Sequence, residues 1–427
     1  MSWRFFCLVP FLGACSLINP KADFAEGDDD LGVDPVDMGP GPDLGERDLG
    51  GPRDLGAEPD EGVPDMGPII DPSARQQIAL SWFHTCAIAS GDVYCWGDNR
   101  NGQVGDGTIM DRNSPTFVDV PGEAIEVSAM GYQTCALNGA GEIYCWGLNG
   151  NGQLGDGTTD ERQTPVRAQP TIDDAVRVSV GGANVCAVRA NGDVLCWGRG
   201  DGGGLGNGGN TQSLTPVLVD GADGSLDIDG SGGHFCTRTA DDSAACWGWN
   251  GYGQLGQPFA SDADIVFSPV SPPGISGIDE VSAGGRHTCA RTASVVACWG
   301  WNMFEQLGTP GSDTENPVVV PGLPSLPVAI AAGGSHTCAA MAGGTEVYCW
   351  GGNTYGQLGL GDTDPHSGPQ RVSGFTSTVV ELDAGDYHTC ARLDTGALAC
   401  WGLNNEGQLG TGNMENSPTP RVVVVGG

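Results

Sequence analysis

From Ile78 onward the chain alternates short apolar runs with glycine-rich breaks, and within the runs hydrophobic and polar positions trade places with a period near two. A representative stretch reads Glu126-Val127-Ser128-Ala129-Met130-Gly131, then Thr134-Cys135-Ala136-Leu137, then Glu142-Ile143-Tyr144-Cys145-Trp146-Gly147, then a glycine-rich loop, then Pro165-Val166. Each run is short, β-prone and bounded by turn residues, so four strands are predicted for the stretch. Long amphipathic helical periodicity is absent. On the third strand Cys145 and Trp146 are neighbours and so point to opposite faces, which requires both faces of the sheet to be covered.

The stretch is one of seven. The tripeptide Cys-Trp-Gly begins at Cys95, Cys145, Cys196, Cys246, Cys298, Cys349 and Cys400, at intervals of 50, 51, 50, 52, 51 and 51 residues. A near-constant period marks an array of one supersecondary unit rather than several domains. Sheets stacked radially about an axis cover both faces of every unit, so the predicted fold is an all-β, seven-bladed β-propeller rather than a flat solenoid. Each unit is followed by a strand containing proline, at Pro115, Pro165, Pro216, Pro269, Pro317, Pro369 and Pro420, and none precedes Ile78-Ala79-Leu80. The terminal strand Pro420 to Val425 is therefore expected to fill that gap and close the ring, removing exposed edges.

Each Cys-Trp-Gly cysteine has a partner 9 to 11 residues earlier: Cys86, Cys135, Cys186, Cys236, Cys289, Cys338 and Cys390. Placed opposite one another on a hairpin, Cys86 and Cys95 leave Ser90-Gly91 as a two-residue turn. Pairs ten apart leave three-residue loops, Gly139-Ala140-Gly141, Ala190-Asn191-Gly192, Ala240-Asp241-Asp242 and Asp394-Thr395-Gly396. Three of these end in glycine, where such a loop needs a left-handed residue. Cys338 and Cys349 leave Gly343-Gly344. Facing α-carbons on antiparallel strands lie about 4.5 to 5.5 Å apart, within reach of a disulfide. Seven disulfides within units are predicted, and they call for an oxidising compartment.

The N-terminus agrees with export. Met1 to Arg4 is a brief positive start, Phe5 to Leu12 is apolar, and Leu12-Gly13-Ala14-Cys15 resembles the bacterial lipoprotein signal, in which the cysteine is acylated. Cys15 would carry the lipid and Cys7 would leave with the signal; an ordinary cleaved secretory signal is the alternative. The apolar run is shorter than the roughly 20 residues of a membrane-spanning helix. Residues 1–14 are thus expected to be the signal, 15–75 a disordered tether and 76–427 the propeller. Between Lys21 and Arg75 stand 16 acidic and 4 basic residues with few apolar ones, as in Asp43-Leu44-Gly45 and Asp48-Leu49-Gly50. Such a segment cannot offset its ordering entropy and reads as a solvated spacer with a reach on the order of 40 Å. No calcium-loop spacing is present in it.

The pattern His-Thr-Cys-Ala, Cys-Trp-Gly-x-Asn and Gly-Gln-Leu-Gly, complete at His336 to Gly359 and His388 to Gly410, resembles the repeat of the regulator of chromosome condensation family. The resemblance covers all seven units and implies the propeller fold. It also implies three functional precedents. Members that exchange nucleotide on a nuclear GTPase touch DNA through basic segments. Here the net charge is −35, Lys21 is the one lysine, and the propeller holds 37 acidic against 13 basic residues, so a phosphate backbone is repelled and no nucleic-acid partner is expected. The plant ultraviolet-B receptor clusters tryptophans in Gly-Trp-Arg-His-Thr, where this chain has Gly284-Gly285-Arg286-His287-Thr288. A secreted bacterial propeller that inhibits β-lactamase is the precedent nearest to an exported chain.

Repeated chemistry reads as architecture. His84, His234, His287, His336 and His388 stand two before a cysteine, but Gln133 and Asn184 hold that place elsewhere, which suits a hydrogen-bonding role and not a metal ligand. Gly202-Gly203-Gly204-Leu205-Gly206 is a degenerate Gly-Gln-Leu-Gly and not a phosphate loop. No catalytic residues, metal or cofactor are expected, since catalysis needs an asymmetric site. Departures from the repeat point instead to binding. Trp249, Tyr252, Trp301, Phe304 and Tyr355 occupy the loop after Cys-Trp-Gly in units four to six, where other units place Asp98, Arg100, Leu148, Asn151 or Glu406. They would form an aromatic crescent, with packing between blades as the alternative role. The expected function is a monomeric, lipid-anchored extracytoplasmic module at the outer membrane or surface of a bacterium, binding a protein partner. An inhibitor of a secreted enzyme, or an enzyme using the central channel, is the alternative.

Overall fold

The structure, a computed structural model, describes residues 77–426 apart from 170, 171 and 262. The expected signal, the acidic tether and Cys15 lie outside the described residues. Among the described residues there are 28 strands and no helix, arranged as seven four-stranded antiparallel sheets. In the first sheet, Ile78–Leu80, His84–Ala89, Asp92–Gly97 and Arg112–Val118 lie side by side in chain order, and the other six repeat this. The first strands touch one another in succession around a complete circle, Val379–Ala384 of blade seven against Ile78–Leu80 of blade one. They therefore surround the axis, and the proline-containing strands lie outermost.

One expectation is overturned. The terminal strand Ser417–Val423 pairs with Leu398–Gly402 of its own unit, Cys400 facing Arg421, and does not join Ile78–Leu80. The proline strand is the fourth strand of every sheet, where a missing N–H on the outer edge costs nothing. No gap exists before blade one. The ring closes through side chains and packing instead of a shared sheet.

The hairpins follow the cysteine register. Cys86 faces Cys95 and each later pair is likewise opposed; all seven are disulfide-bonded, with α-carbons 4.0 to 4.1 Å apart, drawn in from the roughly 4.5 Å of facing residues. Ser90 and Gly91 form the two-residue turn with φ of 54° and 85°. Gly343-Gly344 differs: Met341 N–H donates to Glu346 O at 2.9 Å, enclosing a four-residue loop. The glycine of Cys-Trp-Gly is required at each blade because the chain bulges there with φ from 101° to 108°. A Cβ on Gly97 would stand 2.3 Å from the Phe83 carbonyl oxygen.

Every Cys-Trp-Gly tryptophan is fully buried, on the preceding blade. The indole N–H of Trp146 donates to Gln103 O of Gly-Gln-Val-Gly at 2.8 Å, Trp350 to Gln306 O at 2.9 Å, and Trp96 to Gln408 O of blade seven at 2.9 Å. Gly204 takes the glutamine's place for Trp247 at 3.2 Å. In five blades a threonine hydroxyl donates to the same carbonyl, as Thr134 to Gln103 O at 2.9 Å and Thr85 to Gln408 O at 2.8 Å. That hydroxyl then accepts from the histidine of the preceding blade: His84 Nε2 lies 2.8 Å from Thr134, His234 2.8 Å from Thr288, His287 2.9 Å from Thr337, His336 2.8 Å from Thr389, and His388 2.7 Å from Thr85. Because the threonine spends its proton on the glutamine carbonyl, the histidine carries its own on Nε2. Where the next blade offers Val185 or Phe235 instead of threonine, the histidine is replaced by Gln133 or Asn184. Gln133 turns to Gly181 O at 2.9 Å.

The innermost strands present a free edge to the axis, and side chains from neighbouring blades satisfy it. Glu126 and Ser128 accept from Val178 and Val180 N–H, Ser282 from Ala332, Asp229 from Ala283, and Glu381 and Asp383 from Ile78 and Leu80 across the ring closure. Blade six has Ala329 and Ala331 there, and Asp383 Oδ1 caps its own neighbour Ala384 at 2.8 Å. Burial pushes Asp229 and Asp383 up to about 7.

Two outcomes test this packing. Burial lowers His234 from 6.5 to about 4, so between these values the unfolded chain binds the extra proton and stability contributed by the neutral imidazole is lost as pH falls. The stability advantage of the wild type over His234→Gln should shrink by about 2 kcal/mol between pH 6.5 and 4.5 in denaturant unfolding with disulfides intact. Replacing Cys236 and Cys246 together with alanine should lower unfolding stability by about 2 to 3 kcal/mol, through the closed-loop constraint lost from the unfolded chain.

Candidate functional site

In six of the seven blades the loop after Cys-Trp-Gly is pinned from within by two buried amides, blade three having Gly200 and Gly204 in their places. In blade four Asn250 Oδ1 accepts from Leu255 N–H at 3.0 Å and Gln254 Oε1 from Tyr252 N–H at 2.9 Å. Blade five repeats this with Asn302 to Leu307 at 3.0 Å and Gln306 to Phe304 at 3.1 Å, and blade six with Asn353 to Leu358 at 3.0 Å and Gln357 to Tyr355 at 2.9 Å. The backbone is held while the side chains at Trp249, Tyr252 and their equivalents remain free to vary. A rigid frame with variable side chains is how loops acquire binding roles.

Four of the five aromatic residues singled out in the sequence form a continuous run. Trp249 meets Tyr252 edge-on at 5.4 Å between ring centres, Tyr252 meets Trp301 at 6.0 Å, and Trp301 meets Phe304 edge-on at 5.3 Å. All are at least partly exposed; Phe304 is 37% exposed and its neighbour Met303 74%. The run crosses from blade four to blade five, so packing between blades and surface presentation are both properties of the same rings. Its centre is Arg286, whose guanidinium carbon stands 6.0, 5.7 and 5.1 Å from the rings of Trp249, Tyr252 and Trp301. Such contacts are favourable by about 0.5 to 2 kcal/mol each.

Tyr355 stands apart. It packs edge-on against Tyr387 of blade seven at 5.3 Å, and Tyr387 stacks on Phe83 of blade one at 6.1 Å. Trp82 meets Tyr132 of blade two edge-on at 5.4 Å. The crescent expected over three blades is therefore divided, with four of its rings over blades four and five and Tyr355 in a separate group over blades six, seven and one, beside which Trp82 and Tyr132 form a further pair. Sequence reasoning missed Arg286, Phe83, Tyr132, Tyr387 and Trp82. The first four occupy one repeat position, immediately before the histidine or its replacement, and reading that position across the units would have drawn them out.

Charge is distributed differently in blade one. Asp98, at the place of Trp249, is fully buried as a side chain and ion-paired with Arg100 at 2.6 Å. Burial opposes its ionisation, yet the Arg100 hydrogen bonds hold its pKa below the usual value. Among the described residues no three His, Cys, Asp or Glu side chains are grouped to hold a metal. The five repeat histidines face threonines inside the wheel, far from solvent, and the axial carboxylates bond inner-strand amides.

Comparison with known proteins agrees with this geometry. Residues 90–137, 140–188, 245–291, 296–340, 346–392 and 395–426 match the Regulator of chromosome condensation (RCC1) repeat, and 76–103, 328–357 and 379–408 match a second description of it. The chain belongs to this family. It is 30% identical over 353 residues to the ultraviolet-B receptor UVR8 of Arabidopsis thaliana, spanning 80% of this chain and 79% of that protein. It is 34% identical over 150 residues to the human X-linked retinitis pigmentosa GTPase regulator, 34% of this chain and 15% of that protein. Among solved structures it is similar to yeast RCC1 (Prp20) bound to Kap60, with a TM-score of 0.70 and 19% identity, covering 78% of this chain and 84% of that one. This last likeness concerns the fold alone. One of the aromatic loops carries a local cost: Glu305 adopts φ of 64°, where blades four and six have Gly253 and Gly356. Glu305→Gly should raise unfolding stability by about 0.5 to 1 kcal/mol in thermal or denaturant melts.

Proposed function

We propose that this RCC1-repeat propeller is a non-catalytic binding module that captures a protein partner on its aromatic face. The observation that carries the reading is the unbroken run Trp249, Tyr252, Trp301 and Phe304, set on loops fixed by buried amides. Large rings held rigidly lose little entropy on binding and bury much apolar surface, which is why such residues dominate protein interfaces. Relatives support it in kind, since yeast RCC1 was solved bound to Kap60. An enzyme using the channel draws less support, because the axial Asp229, Glu280, Glu381 and Asp383 are engaged with inner-strand amides. Inhibition of a secreted enzyme is the same capture with an enzyme as the partner.

The cellular setting belongs to the same proposal. Seven disulfides suit an oxidising, extracytoplasmic compartment, and the Leu12-Gly13-Ala14-Cys15 sequence suits lipid attachment at Cys15, with residues 15–75 as spacer and 76–427 as the folded module. Changing Trp249, Tyr252, Trp301 and Phe304 together to alanine should leave the melting transition cooperative and reduce crosslinked partner on intact cells at least tenfold. Undiminished crosslinking by that variant would remove the aromatic run from the function.

A further inference from the structure

The two ends of the wheel are built from different turns. In each antiparallel blade the turn joining the first and second strands and the loop after Cys-Trp-Gly lie at one end, with the aromatic run, while the hairpin joining the second and third strands and the connection to the next blade lie at the other. That other end is a fixed belt, because the hairpin of one blade holds the start of the next blade's first strand. Gly91 O accepts from Ala124 N–H at 2.9 Å, Gly141 O from Ala175 at 3.2 Å, Gly192 O from Ser225 at 3.0 Å and Asp242 O from Ile278 at 2.9 Å.

Charge is divided across this belt. Residues 90–92, 119–123, 139–142, 172–174, 190–193, 219–224 and 240–243, in blades one to four, hold eleven acidic residues and no lysine or arginine. Strand arginines reach Glu142, Asp174 and Asp242, from Arg167 at 2.9 Å, Arg189 at 2.8 Å and Arg238 at 3.9 Å; Asp173, Asp223 and Asp241 are exposed. Residues 271–277, 293–295, 320–326, 342–345 and 373–378, which continue the belt to blade seven, hold no charged residue. Beyond them Glu346 is paired with Arg371 at 3.1 Å, and Asp394 of blade seven returns to the acidic side. Apolar side chains stand open in the uncharged half: Leu326 is 37% exposed, Val328 47% and Val380 42%. Val328 and Val380 hold the same place, a bulged residue in the first strands of blades six and seven, and these two strands touch. Asp279, in loose contact with Arg291 at 3.4 Å, holds that place in blade five and marks the border with the acidic half.

Exposed apolar side chains grouped on a rigid surface mark a contact site, and the charge beside them decides what covers it. A second copy of the chain brings the same eleven acids, and the segment from Lys21 to Arg75 brings 16 acidic against 4 basic residues, so both are repelled. A cationic surface is attracted. We propose that this end of the wheel is a docking surface for a cationic amphipathic segment of a protein partner, its apolar side chains on Leu326, Val328 and Val380 and its lysines or arginines toward Asp279, Asp241 and Asp223. It lies at the opposite end from the aromatic run and is independent of it. A partner at each end makes the propeller a bridge between two proteins.

The test uses the full chain with disulfides oxidised and titration calorimetry with three capped peptides. Acetyl-Lys-Leu-Lys-Leu-Lys-Leu-Lys-amide carries both features, a lysine–serine counterpart keeps only the charge, and a glutamate–leucine counterpart keeps only the apolar side chains. The lysine–leucine peptide should bind saturably in physiological salt, the lysine–serine peptide about tenfold more weakly and the glutamate–leucine peptide not at all. The triple variant Leu326→Ser, Val328→Ser and Val380→Ser should melt cooperatively and bind the lysine–leucine peptide about tenfold more weakly. The triple variant Asp223→Asn, Asp241→Asn and Asp279→Asn, which leaves the apolar side chains in place, should also bind it more weakly and with a shallower dependence on salt. Binding by the four-alanine variant of the aromatic run should match wild type. The proposal is overturned by equal binding of the lysine–serine peptide, by unchanged binding in either triple variant, or by loss of binding in the four-alanine variant, which places the peptide on the aromatic run. A dimer in sedimentation that the triple-serine variant dissolves, or phosphatidylcholine vesicles that hold wild type and release that variant, gives the patch to another occupant and overturns it as well.

Discussion

The wheel depends on one acceptor used twice. In five of the seven junctions the backbone carbonyl of a Gly-Gln-Leu-Gly-type glutamine, as at Gln306 and Gln357, receives both an indole N–H and a threonine hydroxyl from the next blade. Both lone pairs are engaged inside a dry junction, where an unmade bond would leave a buried polar group uncompensated. The same contact buries a whole tryptophan. A single blade has no surface that can do this for its own indole, so each unit is stable only between neighbours, which is the physical basis of its repetition.

Everything else in the repeat adjusts to that junction. Histidine stands in a blade when the following blade offers threonine, and gives way to Gln133 or Asn184 when the following blade offers Val185 or Phe235. The imidazole is thus a hydrogen-bond donor chosen by its neighbour, which leaves its Nδ1 bare and keeps it neutral in a dry site. At the axis, acidic and hydroxyl side chains cap the free edges of inner strands, so part of the chain's acidity is structural. The same edges, left open, would invite pairing with other chains.

A frame fixed so completely leaves a small number of positions free. The residue between the pinned asparagine and glutamine, the residue after Cys-Trp-Gly, and the two residues before the histidine all project at one end of the wheel. Blades four and five fill them with Trp249, Tyr252, Arg286, Trp301 and Phe304, while blades seven and one fill them with Tyr387, Asp386, Phe83 and Trp82. The departures from the repeat in this RCC1-repeat chain gather at those positions, because the repeated residues are already occupied in holding the blades together.

Most of what acts within one unit is legible in the chain alone. Period, strand count, disulfide register and the two- and three-residue hairpin loops are local, and alternation with turn residues specifies them without reference to distant chain; only the longer Ala342 to Thr345 loop escaped that logic. Tertiary structure decided what lies between units. The gathering of the aromatics around Arg286, the separation of Tyr355 toward Tyr387 and Phe83, and the pairing of His388 with Thr85 all join residues one blade or the whole ring apart, and the ring closes by such contacts while Ser417–Val423 stays in its own blade. Hydrophobic pattern reports which face of a strand is buried, but not which neighbour buries it, and that choice is made only when seven sheets close on one another.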